Sequence, residues 1–239
     1  MKPVAIIVGG SSNIGWACTR RFSETHRVLV ADVRPPTESL PDGASFFQMD
    51  ITDQRDCREL MQNAGSLGDV AAVVHSAAIT AEAKPIEQIG LDEWRRLLDV
   101  NLTGAFLVAQ AAIPVLRAGR GAMVLISSRA ARTGYAALTA SPEGTKPHYC
   151  ASKAGVLSLV KSLAIELASD GVRVNAVVPG AIEGAMIPRE RWAELAARIP
   201  LARLGQPAEV ADAAFYLCSR EARYVTGHAL DVNGGTWMN

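Results

Sequence analysis

Short apolar runs rich in β-branched residues alternate with helical patterns from one end of this chain to the other. Val4–Val8, Arg27–Ala31, Val70–Val74, Ala122–Ile126 and Val172–Val177 read as strands, and Val4–Val8 is apolar at every position. A strand apolar throughout has no solvent face, so it belongs in a parallel sheet covered by helices on both sides. Ser45–Met49 and His228–Val232 are weaker strand candidates, placed at the edges. Helical periodicity is read over roughly 14–25, 53–64, 91–117, 149–169 and 207–220. This alternation predicts an α/β fold: one doubly wound, about seven-stranded parallel sheet with right-handed crossovers and helices on both faces. The pattern breaks only at Val33–Pro41, where Pro35, Pro36 and Pro41 argue for a loop in place of a crossover helix.

With 239 residues and no linker, internal repeat or low-complexity tract, the chain reads as a single domain, 1–239. Lys plus Arg and Asp plus Glu are both 24, which gives no basic stripe for nucleic acid or an acidic membrane. The nearest thing to a charge cluster, Arg189-Glu190-Arg191, cancels itself. Cys18, Cys57, Cys150 and Cys218 are scattered without zinc spacing, as expected of thiols in a reducing compartment. Met1–Val8 is too short for a signal-peptide core, and the apolar run Ala105–Leu116 is broken by Gln110 and Pro114. The expectation is a cytoplasmic protein with no metal, nucleic-acid or membrane partner.

Val8-Gly-Gly-Ser-Ser-Asn-Ile-Gly15 follows the first strand and opens a helix. Backbone amides at a helix N-terminus carry partial positive charge, and glycines let a diphosphate approach them. A phosphate-binding loop of the Walker type is excluded, because Trp16-Ala17 stands where Lys and Ser/Thr are needed. Asp32 ends the second strand, where a carboxylate would accept hydrogen bonds from an adenosine ribose and repel a 2′-phosphate. NAD is therefore expected over NADP, with Arg34 solvated or lying along the adenine.

Tyr149 and Lys153 stand at i and i+4 on one helical face. A free phenol, with a pKa near 10, is a poor proton shuttle at neutral pH. A cation about 5 Å away, at an effective dielectric of about 20, would lower that value by roughly two units.

Taken together these residues resemble the short-chain dehydrogenase/reductase family over essentially the whole chain. The likeness runs through the Gly9–Gly15 turn, Asp50-Ile51, Asp99-Val-Asn-Leu-Thr-Gly104, Ile126-Ser-Ser128 and Tyr149-x-x-x-Lys153. It continues through Val174-Asn-Ala-Val-Val-Pro-Gly180, Gly205-Gln-Pro-Ala-Glu209 and the segment Tyr224–Gly235. The resemblance implies a Rossmann domain and a catalytic set of Asn101, Ser128, Tyr149 and Lys153. In that set Tyr149 is the general acid/base, and Lys153 tunes it and holds the nicotinamide ribose. Ser128, rather than Ser127, hydrogen-bonds the substrate oxygen, and Asn101 anchors a water linking Lys153 to solvent. It also implies cofactor contacts from Gly9, Ser11, Asn13, Ile14 and Gly15 in the turn, and from Asp32, Asp50 and Ile51 around the adenosine. Ser76 and Ala77 are expected along the adjoining ribose, and Pro179, Gly180 and Ile182 at the nicotinamide.

The sequence departs from the family at several places. Asn13 replaces the middle glycine of the turn, and Asn tolerates left-handed backbone better than most residues. Val8 replaces a Thr, and Gly184 a Thr that often meets the cofactor. His75-Ser-Ala-Ala78 replaces an Asn-Asn-Ala-Gly stretch, with His75 read as a packed strand-end residue. Ser128 and Tyr149 lie further apart than usual, so Leu138–Pro147 is expected to form an extra loop beside the site. The pocket is expected to be lined by Ala130, Tyr135, Leu138, His148, Met186 and Trp192, under a small lid over about 182–204. Arg129, Arg132 and Arg189 are candidate anion ligands, more simply read as surface residues.

The reaction implied is hydride transfer between NAD(H) and a small secondary alcohol or ketone. The rivals are reduction of a 3-oxoacyl thioester and, more remotely, a non-catalytic dinucleotide-binding regulator. Helices 91–117 and 149–169 are apolar on more than one face, and the resemblance makes those faces subunit contacts of a homotetramer or dimer.

Overall fold

The computed structural model of the protein describes residues 2–135 and 144–238. Seven parallel strands form one sheet in the order β3-β2-β1-β4-β5-β6-β7. They are β1 (Val4–Val8), β2 (Arg27–Asp32), β3 (Ala44–Gln48), β4 (Val70–His75), β5 (Ala122–Ile126), β6 (Arg173–Pro179) and β7 (Ala229–Val232). The two weak strand candidates, β3 and β7, are the two edges.

Side chains alternate across β1, and each face of the sheet has its own core. Val4, Ile6 and Val8 pack with Leu60 and Met61 of α2 (Gln54–Leu67), Val108 of α4 (Gly104–Gly119) and Val156 of α6 (Pro147–Leu167). Ala5 and Ile7 pack instead with Cys18 and Phe22 of α1 (Asn13–Ser23) and Val210 and Ala214 of α8 (Pro207–Cys218). Every residue of β1 is fully buried, as an apolar strand sealed on both faces must be.

Residues 33–43 connect β2 to β3 with no helix, as the prolines require. Asp53 caps α2 by accepting the Arg55 N–H (2.7 Å), and Pro147 and Pro207 open α6 and α8. Gln206 and Glu209 form a capping box at α8, and Glu209 also pairs with Arg203. Cys18, Cys57 and Cys150 are buried and Cys218 is half-buried; all four are free.

The helix expected over 91–117 is present, and the apolar run within it is not interrupted at Pro114. α3 (Leu91–Leu98), a π turn at Asp99–Thr103 and α4 run on as a continuous rod, Leu91–Gly119, straight through Pro114. Its mean hydropathy reaches 1.4, enough by length and composition to cross a bilayer. Its buried residues, among them Ala105, Val108, Ala109, Ala112 and Leu116, belong to the core beneath the sheet, so that stripe is a packing face.

Between β6 and α8 the chain leaves the sheet, forms α7 (Trp192–Ala196) and returns. The base of this excursion is pinched by Gly205 N–H to Ala181 O (2.9 Å) and Glu183 N–H to Gly205 O (2.9 Å). Leu195, Ile199 and Leu204 give it a small core of its own.

Candidate active site

β1 has β2 on one side and β4 on the other, so the strand order reverses direction between β1 and β4. In an open parallel sheet the crevice beyond the carboxyl ends at such a point is where ligands bind. A cavity of about 560 Å³ lies there, running from the end of β2, past the β1 turn, to the segment after β6.

The turn is built for close approach. Gly9 (φ +74°) and Asn13 (φ +43°) are left-handed, and a β-carbon on Gly9 would overlap the Ala77 backbone. One on Gly15 would overlap the Gly9 carbonyl, so α1 starts directly against the turn. Ser11 N–H donates to Asp32 Oδ2 (3.1 Å), tying the turn to the end of β2. Ser11 Oγ is buried and has no partner among the described residues. This glycine cradle, with an orphaned hydroxyl and a carboxylate at the next strand end, fits a dinucleotide.

Gly9, Asn13, Ile14, Asp32, Asp50 and Ile51 line the cavity, as do Ser76, Ala77, Pro179, Gly180 and Ile182. Ser11 and Gly15 stand behind its wall and shape the turn. Ser12, Val33, Met49, Ala78, Ile79 and Val100 also line it without having been expected there; each lies within two residues of an expected residue.

Ser128, Tyr149 and Lys153 meet in the same cavity. Ser128 lies between β5 and α5 (Ala130–Thr133); its Oγ accepts the Ala130 N–H (3.1 Å), and its hydroxyl is close enough to the Tyr149 phenol to influence it. Ser127 Oγ instead donates to the Lys153 carbonyl (2.8 Å), away from the phenol. Lys153 Nζ donates to Ile126 O (2.9 Å). Asn101 sits in the π turn, 1% exposed and outside the lining, with its amide clamped to Ile79: Oδ1 accepts Ile79 N–H (2.8 Å) and Nδ2 donates to Ile79 O (2.9 Å). Nδ2 also donates to Ser152 Oγ (3.2 Å), which in turn donates to Tyr149 O (2.8 Å).

The electrostatics differ from the sequence expectation of a phenol drawn down by the ammonium. Burial pushes the Tyr149 phenol above its ordinary value, and the Ser128 hydrogen bond opposes this less strongly. Burial also brings Lys153 down to about 8, weakening the charge meant to act on Tyr149. His75 is packed at the end of β4, with neither ring nitrogen partnered among the described residues, and burial together with the Lys153 charge lowers it to about 3.

At the far end, Ala130, Tyr135 and Met186 line the cavity as expected, while Leu138 lies outside the described residues. His148 is fully buried behind the wall, facing Glu93 (3.3 Å) and stacked on Trp94. Trp192 donates from its indole to Ile187 O (3.0 Å) and lies under Arg189. Arg132 pairs with Asp231 (3.4 Å), so of the three candidate arginines only Arg129 lines the cavity. Lys146 and Arg191 also line it; no motif marks either, because their convergence depends on the excursion after β6.

A family model described as "Enoyl-(Acyl carrier protein) reductase" matches residues 8–236. The chain is 34% identical to the cis-4-hydroxycyclohexanecarboxylate dehydrogenase of Sinomonas cyclohexanicum, over 97% of this chain and 95% of that protein. It is 32% identical to the 3-oxoacyl-[acyl-carrier-protein] reductase FabG of Thermotoga maritima, over 97% and 96% of the two. A solved structure titled "ElxO with NADP Bound" superposes with a TM-score of 0.89, covering 99% of both chains; at 23% identity it speaks for the fold alone.

Proposed function

This chain belongs to the short-chain dehydrogenase/reductase family and is an oxidoreductase, and from that premise we propose that it moves hydride between NAD(H) and a secondary alcohol or its ketone, with Tyr149 as general acid/base. The observation carrying this reading is the convergence of Ser128, Tyr149 and Lys153 on the cavity that the glycine turn opens.

The coenzyme, when bound, supplies or accepts the hydride. The chain's own groups handle the proton. Ser128 receives the Ala130 N–H on its oxygen, which leaves its own proton free to donate toward a substrate oxygen. Tyr149 Oη, in the same cavity, takes the alcohol proton in oxidation and returns it in reduction. Lys153, with a pKa near 8, can pass a proton onward at working pH. Asn101 acts here as a positioning residue: it fixes the Ile79 segment and, through Ser152, the first turn of α6.

NAD over NADP is read from Asp32, which lines the cavity, while Arg34 does not. The turn residues and Asp50, Ile51, Ser76, Ala77, Pro179, Gly180 and Ile182 would hold the coenzyme along the strand ends. We read the chain as one catalytic domain, with the excursion over 182–204 as its lid. Exposed Phe106 on α4 and Ile165 on α6 suit a subunit contact in a homotetramer or dimer, in the cytoplasm.

The likeness to the cis-4-hydroxycyclohexanecarboxylate enzyme supports an alcohol substrate. The likeness to the 3-oxoacyl reductase keeps thioester reduction as the second reading. A screen of secondary alcohols, ketones and 3-oxoacyl thioesters, followed by NADH absorbance, tests the proposal; turnover confined to thioesters with NADPH would replace the first reading with the second.

A further inference from the structure

We propose that the substrate carries a carboxylate, received by Lys146 and Arg191 at the far end of the cavity from the adenosine site. The inference deepens the hydride-transfer reading, on which it rests for the position of the reacting oxygen.

The cavity is polarised. Its only lining carboxylates among the described residues, Asp32 at the end of β2 and Asp50 after β3, are in the coenzyme half. The charged side chains lining the other half are Arg129, Lys146, Lys153 and Arg191, all cationic. Arg129 is buried against Tyr135 and bonded to Thr133 (3.4 Å), and Lys153 serves Ile126, so these two already have structural partners.

Lys146 and Arg191 do not balance in the same way. Lys146 is half-buried and immediately precedes α6; its ammonium donates to the neutral Thr80 hydroxyl (3.3 Å), and the described carboxylate whose charge reaches it, exposed Glu82, lies beyond ion-pair distance. The nearest acidic partner of Arg191 is Glu194 (3.7 Å), which is held more closely by Arg198 (3.0 Å). The two cations come from different elements and repel across a shared space, weakly because Arg191 is 54% exposed, and burial is the larger cost on Lys146. The first turn of α6 has neither an acidic residue nor a side-chain cap, so its amide dipoles reinforce the positive field. An anion here would relieve the repulsion, and a carboxylate suits the guanidinium fork.

Lys146, just before α6, and Tyr149, in its first turn, line the same cavity, so the anionic group and the reacting carbon are separated by a small body. Ala83, Met186, Ile187 and Leu195 give that body apolar walls. The class is a compact, apolar hydroxy- or oxo-carboxylate.

The test is calorimetric titration of the full-length protein with cyclohexanecarboxylate and, in parallel, with cyclohexanecarboxamide. The carboxylate is expected to bind at least tenfold more tightly. Lys146→Met and Arg191→Met should each remove most of that preference, and Lys146→Arg should retain it. Equal affinities, undetectable carboxylate binding, or a preference both Met variants keep would overturn the inference. Neither probe reacts, so failure here leaves the oxidoreductase reading standing. Conversely, a retained preference in a protein that turns over no alcohol would count only against that reading.

Discussion

The Asn13 carboxamide occupies the space that a side chain on Gly184 would need: a β-carbon built on Gly184 overlaps Asn13 Nδ2. Both residues depart from the family pattern, and they depart together. Asn13 enters the turn with left-handed backbone and reaches across to the strap after β6, where Gly184 (φ +150°) makes room. Gly184→Thr is therefore expected to destabilise the fold by about 1–3 kcal/mol, through overlap with Asn13 and a backbone that disfavours β-branched residues. Asn13→Gly should recover only the overlap. A double-mutant cycle by denaturant unfolding should give a coupling of about 1 kcal/mol, and strictly additive losses would show that the two positions do not compensate.

Tyr149→Phe keeps the ring and removes the proton carrier. Turnover should fall by roughly 10²–10⁴-fold, while NADH affinity measured by fluorescence stays within about threefold. Because burial holds the phenol above its ordinary value, the wild-type site is poised as a donor at neutral pH. Alcohol oxidation, which needs an acceptor, should therefore quicken as pH rises above neutrality, and ketone reduction should slow. A flat profile in both directions would remove Tyr149 from the proton step.

Asp32 Oδ2 accepts the Ser11 N–H and faces the cavity, so its charge meets anything attached to the adenosine ribose. Asp32→Asn keeps much of the shape and removes the charge. The ratio of NADPH to NADH affinity should rise by about tenfold or more, of the order of 1.4 kcal/mol. Wild-type protein that prefers NADPH in the same titration would refute the assignment before any variant is made.

Local pattern carried most of the fold. β1 is legible because five consecutive apolar residues leave no wet face, and the prolines after β2 rule out a helix there. The turn, Asp32 and the Ser128–Tyr149–Lys153 set are legible because their chemistry depends on short spacings and strand ends. What was hidden depends on burial or on contacts distant in sequence. The i, i+4 spacing of Tyr149 and Lys153 says that they are neighbours; it does not say that the amine bonds to Ile126, or that desolvation outweighs its charge. Arg132 finds Asp231 on β7, and Lys146 meets Arg191 only because the chain after β6 returns to the same cavity. The helix over 91–117 is legible from its periodicity; that its apolar stripe runs on past Pro114 depends on packing against the sheet.

Lys153 ties activity to stability. Its ammonium has an ordinary pKa of 10.5 and about 8 in the fold, so the folded protein releases a proton that the unfolded chain retains between those values. The unfolded state binds more protons in that window, and the contribution to stability therefore rises as pH climbs from about 8 toward 10.5. Below pH 8 the penalty of a buried charge is fully present, of the order of 3 kcal/mol. Lys153→Met removes that penalty and leaves the stem packed. At pH 7 the variant should unfold at higher denaturant than the wild type while losing turnover, and the gap should narrow toward pH 10. A variant less stable than the wild type at pH 7 would mean that the Lys153–Ile126 hydrogen bond outweighs the desolvation cost.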